Sequence, residues 1–115
     1  MISLPSGTHV WVAAGHTDMR KGLVGLAATV QSTLKADPLS GHLFVFRGRA
    51  GNRIKVLWWD GQGLCLFYKF LERGKFVWPH AKEGKIQLTP AELAMLLEGI
   101  DWRIHERTFK RKYLL

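Results

Sequence analysis

Apolar residues at Leu23, Leu26, Ala27, Val30 and Leu34 recur at the spacing of one helical face, with Thr17 or Asp18 available as a cap and Asp37-Pro38 as a stop. Before them, His9 to Ala13 reads as a short strand ended by Ala14-Gly15-His16-Thr17. From His42 to about Pro79 the pattern changes to short aromatic and branched runs broken by glycine. His42-Leu-Phe-Val-Phe-Arg47, Arg53-Ile-Lys-Val-Leu-Trp-Trp59, Leu64-Cys-Leu-Phe-Tyr-Lys-Phe-Leu71 and Lys75-Phe-Val-Trp78 predict four strands joined by hairpin-length breaks. Lys85 to Leu88 is a candidate fifth. Thr89-Pro-Ala-Glu92 combines a capping threonine, a proline at the first helical position and a glutamate three residues after the cap. It predicts a helix from Pro90 to about Glu98, burying Leu93, Leu96 and Leu97 and ending at Gly99. The expected fold is α+β: an antiparallel meander of four to six strands with two helices packed on one face. Residues 1–102 are expected to form a single domain, and residues 103–115 a basic C-terminal tail.

Composition narrows the class. A chain of 115 residues with 47% hydrophobic and 23% charged residues is long enough for its own core, and excludes pervasive disorder and a two-domain enzyme. The single Cys65 permits neither an intramolecular disulfide nor an all-cysteine zinc site. Pro5 and Gly7 break the N-terminal stretch before an apolar run develops, no signal peptide is expected, and no uncharged apolar run is long enough to span a bilayer. A cytoplasmic location follows as the expectation.

The formal charge is +8, and its distribution matters more than its size. Arg47, Arg49, Arg53 and Lys55 contribute four positive charges with no acid among them, and Arg103 to Leu115 contribute a further net four. The remaining eight bases and eight acids cancel. An arginine-rich hairpin of this kind is able to track a phosphate backbone, or simply to keep a sheet edge soluble. If its loop pairs Arg47 with Arg53, those two and Lys55 share one face of the ribbon. In the tail, Arg103, Arg107, Lys110, Arg111 and Lys112 suit a flexible arm that gains affinity by releasing counterions. Trp59, alternating away from Ile54, Val56 and Trp58, and Trp78 are candidate interface residues.

No catalytic, metal or cofactor residues are assigned. His9, His16, His42, His80 and His105 include no pair at the spacing of helical metal ligands, and no phosphate loop, dinucleotide fingerprint or nucleophile elbow occurs. A metal-dependent nuclease requires convergent carboxylates. Asp18, Asp60 and Glu72 are the set to test; otherwise Asp18 caps a helix and pairs with Arg20, while Asp60 serves a turn.

Five ordered strings are distinctive: Thr17-Asp-Met-Arg-Lys-Gly22, His42-Leu-Phe-Val-Phe-Arg-Gly-Arg49, Leu57-Trp-Trp-Asp-Gly-Gln-Gly-Leu64, Glu72-Arg-Gly74 with Phe76-Val-Trp-Pro79, and Leu96-Leu-Glu-Gly-Ile-Asp-Trp102. Together they resemble the TnpB, or Orf2, accessory proteins of bacterial insertion sequences of family sixty-six. The similarity runs from Pro5 to Trp102. It implies an accessory role in transposition beside a separate, larger transposase, and supplies no catalytic residues. With the charge distribution, DNA and the element's own transposase and companion proteins become the expected partners. The alternative is a module that docks on the transposase or its regulator without touching DNA.

Overall fold

Consecutive apolar residues such as Leu43-Phe-Val-Phe46 send side chains to both faces of a strand, and a sheet made of them needs cover on both sides. The computed structural model, which describes residues 4–80 and 83–104, has that arrangement. Its elements are β1 (Val10–Ala13), α1 (Leu23–Ser32), β2 (Leu43–Arg47), β3 (Arg53–Trp59), β4 (Leu64–Phe70), β5 (Lys85–Leu88) and α2 (Pro90–Leu97), followed by a short 3₁₀ turn, Trp102–Ile104. The five strands lie in the order β4-β3-β2-β1-β5. The α+β class holds, and β2, β3 and β4 form the expected meander. β5 pairs antiparallel with β1, whereas β1 pairs parallel with β2 because α1 carries the chain back between them.

Both helices were expected on one face; they lie on opposite faces. Alternate strand residues separate into two cores. Val10, Val12, Val45, Ile54 and Val56 pack with Leu93 and Leu96 of α2. Ala13, Phe44, Phe46 and Leu57 pack with Leu26 and Val30 of α1, and with Leu34 just beyond it. A strand apolar on both faces cannot be satisfied by helices on one.

Local signals were met unevenly. Thr89 Oγ1 accepts from Glu92 N at 3.1 Å while Glu92 Oε1 accepts from Thr89 N at 2.9 Å, so the expected capping box closes. The start of α1 is different: Gly22 is its N-cap, with no side-chain cap bond, and neither Thr17 nor Asp18 reaches it. The expected strand at Lys75–Trp78 is no strand. It runs beside the β2–β3 loop, where Phe76 N and Trp78 Nε1 both donate to Gly51 O, at 3.0 and 2.9 Å.

Candidate functional site

The β2–β3 loop, residues 48–52, is held on three sides. Thr17 N donates to Arg47 O at 2.7 Å, Leu71 N to Asn52 O at 2.9 Å, and Phe76 and Trp78 to Gly51. Gly51 has φ +82°, and an added Cβ there would meet Arg47, Lys75 and Trp78 at 3.5 Å. This loop is no free tip. It is the centre of one end of the sheet, where the 14–22 and 71–78 segments converge.

The four hairpin cations have separate fates. Gly48 N donates to Arg53 O, and Arg47 pairs with Ile54, so Arg47 stands on the face opposite Arg53 and Lys55. The expected single-faced triad does not form. Arg47 is half-buried, its guanidinium 5.8 Å from the Trp78 ring, with Nε buried and without a hydrogen-bond partner among the described residues. Lys55 is buried, and its ammonium donates to Met19 O at 2.8 Å and Lys21 O at 2.9 Å. It holds the entry to α1 and is not offered to solvent. Arg49 and Arg53 are exposed, Arg53 with its guanidinium 4.3 Å from the Phe70 ring centre.

Exposed Arg73 and Lys75, outside the two basic segments that stand out in the sequence, join that end of the molecule because the segment carrying them is bound to Gly51 and Asn52. Their signal was the Arg73-Gly-Lys75 run, of which Arg73-Gly74 reads in the sequence as a hairpin break and Lys75 as the first residue of a strand. Exposed Glu72 is the acid beside them. Between the loops lies an open cleft of about 600 Å³ lined by His16, Thr17, Asp18, Met19, Arg49, Ala50, Asn52 and Arg53. Asp18 is already engaged: Arg20 donates to it at 2.8 to 3.1 Å from both side-chain and backbone nitrogens, which pulls its carboxyl down to about 2. The cleft therefore presents Arg49 and Arg53 with their neighbouring acid neutralised.

Arg103 is exposed and pairs with Asp101 at 2.9 Å. Trp102 Nε1 donates to Val77 O at 2.6 Å, so the chain reaches Arg103 beside the strap that carries Lys75. Arg107, Lys110, Arg111 and Lys112 lie outside the described residues. Trp78 is buried against Phe76, with its indole N–H spent on Gly51; it offers no exposed interface, because the strap it belongs to is a core element. Trp59 is half-buried and lines a cleft of about 390 Å³ with Trp58, Leu4 and Pro5.

The three carboxylates do not gather. Asp18 lies beside Arg53, at the start of the seven-residue β3, and Asp60 follows its other end, about 20 Å away along the strand. Asp60 accepts from Gln62 N and Gly63 N at 2.9 and 3.0 Å, which lowers its pKa and gives it the turn role. Among the described residues no group of three or more His, Cys, Asp or Glu side chains is placed to hold a metal ion, and no helix is long and apolar enough to cross a membrane.

A five-stranded mixed sheet between two helices, with exposed arginines and a lysine around one end, defines a small α+β protein with a cationic pole. The sequence profile of the family described as IS66 Orf2 like protein matches residues 8–107, and the chain belongs to that family of insertion-sequence accessory proteins. It is 58% identical over 109 residues to the uncharacterized protein y4hO of Sinorhizobium fredii (strain NBRC 101917 / NGR234), covering 93% of this chain and 95% of that one. It is 41% identical over 112 residues to the uncharacterized protein y4jC of the same organism, covering 96% of each. No solved structure matches the chain.

Proposed function

We propose that this accessory protein assists transposition by binding DNA through its phosphates, without catalysis of its own. The contacts come from Arg49, Arg53, Arg73 and Lys75 around the 48–52 loop, and from the basic segment that begins at Arg103. The observation that carries the reading is the gathering of exposed cations at one pole, with Asp18 neutralised by Arg20 and Trp102 anchoring the chain beside Lys75. Phosphate contacts position a protein without reading sequence, so element ends and random DNA bind alike. With about five phosphates neutralised, log affinity falls against log salt with a slope near −4.5 on duplex DNA. Titration of both DNAs across a salt series tests this. Binding that ignores salt, or no binding to any DNA, overturns it.

A further inference from the structure

On the α1 side of the sheet, the edge strand β4 leaves two aromatic rings uncovered. Tyr68 is 47% and Phe70 55% exposed, two residues apart and therefore on one face. Each has a cation across the ladder: Arg53 pairs with Phe70 and lies over its ring at 4.3 Å, and Lys55 pairs with Tyr68, its ammonium 4.8 Å from that ring. Arg53, which lies over Phe70, also lines the cleft that holds Arg49. Exposed rings without charges beside them would suit a protein partner. A ring beneath an exposed arginine, with a second ring next to it and a cationic cleft at its end, matches a ligand that carries flat π-faces and phosphates together.

Resting on the phosphate-binding reading above, we propose that this strip is a stacking platform for single-stranded DNA. Successive same-face residues of a strand stand about 6.8 Å apart, twice the roughly 3.4 Å rise per nucleotide of a duplex strand. Bases on Tyr68 and Phe70 are therefore unstacked from each other and unpaired. Phe70 and the outer face of the Arg53 guanidinium receive one base, and Tyr68 the next, while Arg49 meets the phosphate that leads into the cleft.

The test compares the full chain with the Tyr68→Leu/Phe70→Leu variant, which keeps apolar bulk but removes both π-faces, and with Arg49→Gln/Lys75→Gln. Fluorescence anisotropy measures each on a labelled thymidine 20-mer, a random duplex and the equivalent RNA strand, with thermal melts confirming folding. The ring variant is expected to lose at least about tenfold in affinity for the single strand and keep its duplex affinity. The cation variant weakens both, and Phe70→Trp restores or exceeds wild-type single-strand binding. Unchanged single-strand affinity in the ring variant overturns the platform while leaving phosphate binding intact. Absence of binding to every strand overturns both. RNA bound more than tenfold tighter than DNA overturns the DNA assignment, and a ring variant that alters only self-association assigns the strip to protein contact instead.

Discussion

Lys55 and Arg49 belong to the same basic hairpin and carry the same charge, yet backbone geometry gives them opposite work. Lys55 points into the α1 side and spends its ammonium on Met19 O and Lys21 O. Lys85 reaches Leu34 O at 3.1 Å beyond the other end of α1, and Lys69 reaches Leu97 O at 2.6 Å at the end of α2. These three lysines fasten helices to the sheet. Replacing Lys55 with Ala leaves two half-covered carbonyls without their donor, and should cost about 2 kcal/mol by chemical denaturation. Arg49→Gln, at an exposed site, should stay within about 0.5 kcal/mol. The Asp18–Arg20 pair adds a pH signature. Because the folded carboxyl is depressed from 3.8 to about 2, its contribution is present above 3.8 and is lost as pH falls through 2. The stability difference between the full chain and Asp18→Asn, followed by denaturation midpoint, should shrink over that window. Above it, the difference should be flat.

At the scale of elements, α2 rests on a cap that is spelled out in its sequence and on the burial of Leu93 and Leu96. Thr89→Ala should destabilise by about 1 kcal/mol, and Leu96→Ala by about 2 to 5 kcal/mol, in the same denaturation assay. Thr89, Pro90 and Glu92 made this helix legible because capping is local chemistry. The strands were legible for the same reason, since Gly and aromatic runs mark their ends. What depended on pairing was not. The one-residue offset that sets Arg47 against Ile54 arises in the 48–52 loop, and it moves Arg47 to the other face. The strap at 75–78 has strand-like composition but finds its partner in Gly51, a contact far away in sequence. The double-sided cover was written in Leu43-Phe-Val-Phe46, where alternation fails; a strand with one wet face would have shown a polar residue there. Of the candidate site, Arg49 and Arg53 were recoverable from charge alone, whereas Arg73 and Lys75 became visible only once the strap was placed.

For the whole molecule, the basic residues sort by use. The lysines at 55, 69 and 85 are consumed by the fold, the cations at 49, 53, 73 and 75 face solvent at one pole, and Trp102 sets Arg103 beside that pole. This division makes the salt dependence of binding separable from stability. Each phosphate contact contributes about −0.9 to the slope of log affinity against log salt on duplex DNA and about −0.7 on a single strand. Arg49→Gln/Arg73→Gln/Lys75→Gln should therefore flatten the duplex slope by about 2.7 and the single-strand slope by about 2.1, with the melting temperature nearly unchanged. Substituting Arg107, Lys110, Arg111 and Lys112 by Gln should flatten the slope further, and the two sets should combine additively if both meet the same strand. A first set that leaves the slope untouched removes the pole from the contact, and a second set that does so removes the tail. Lys55→Ala should instead lower stability and leave the slope where it was, because its charge already belongs to two carbonyls of the protein.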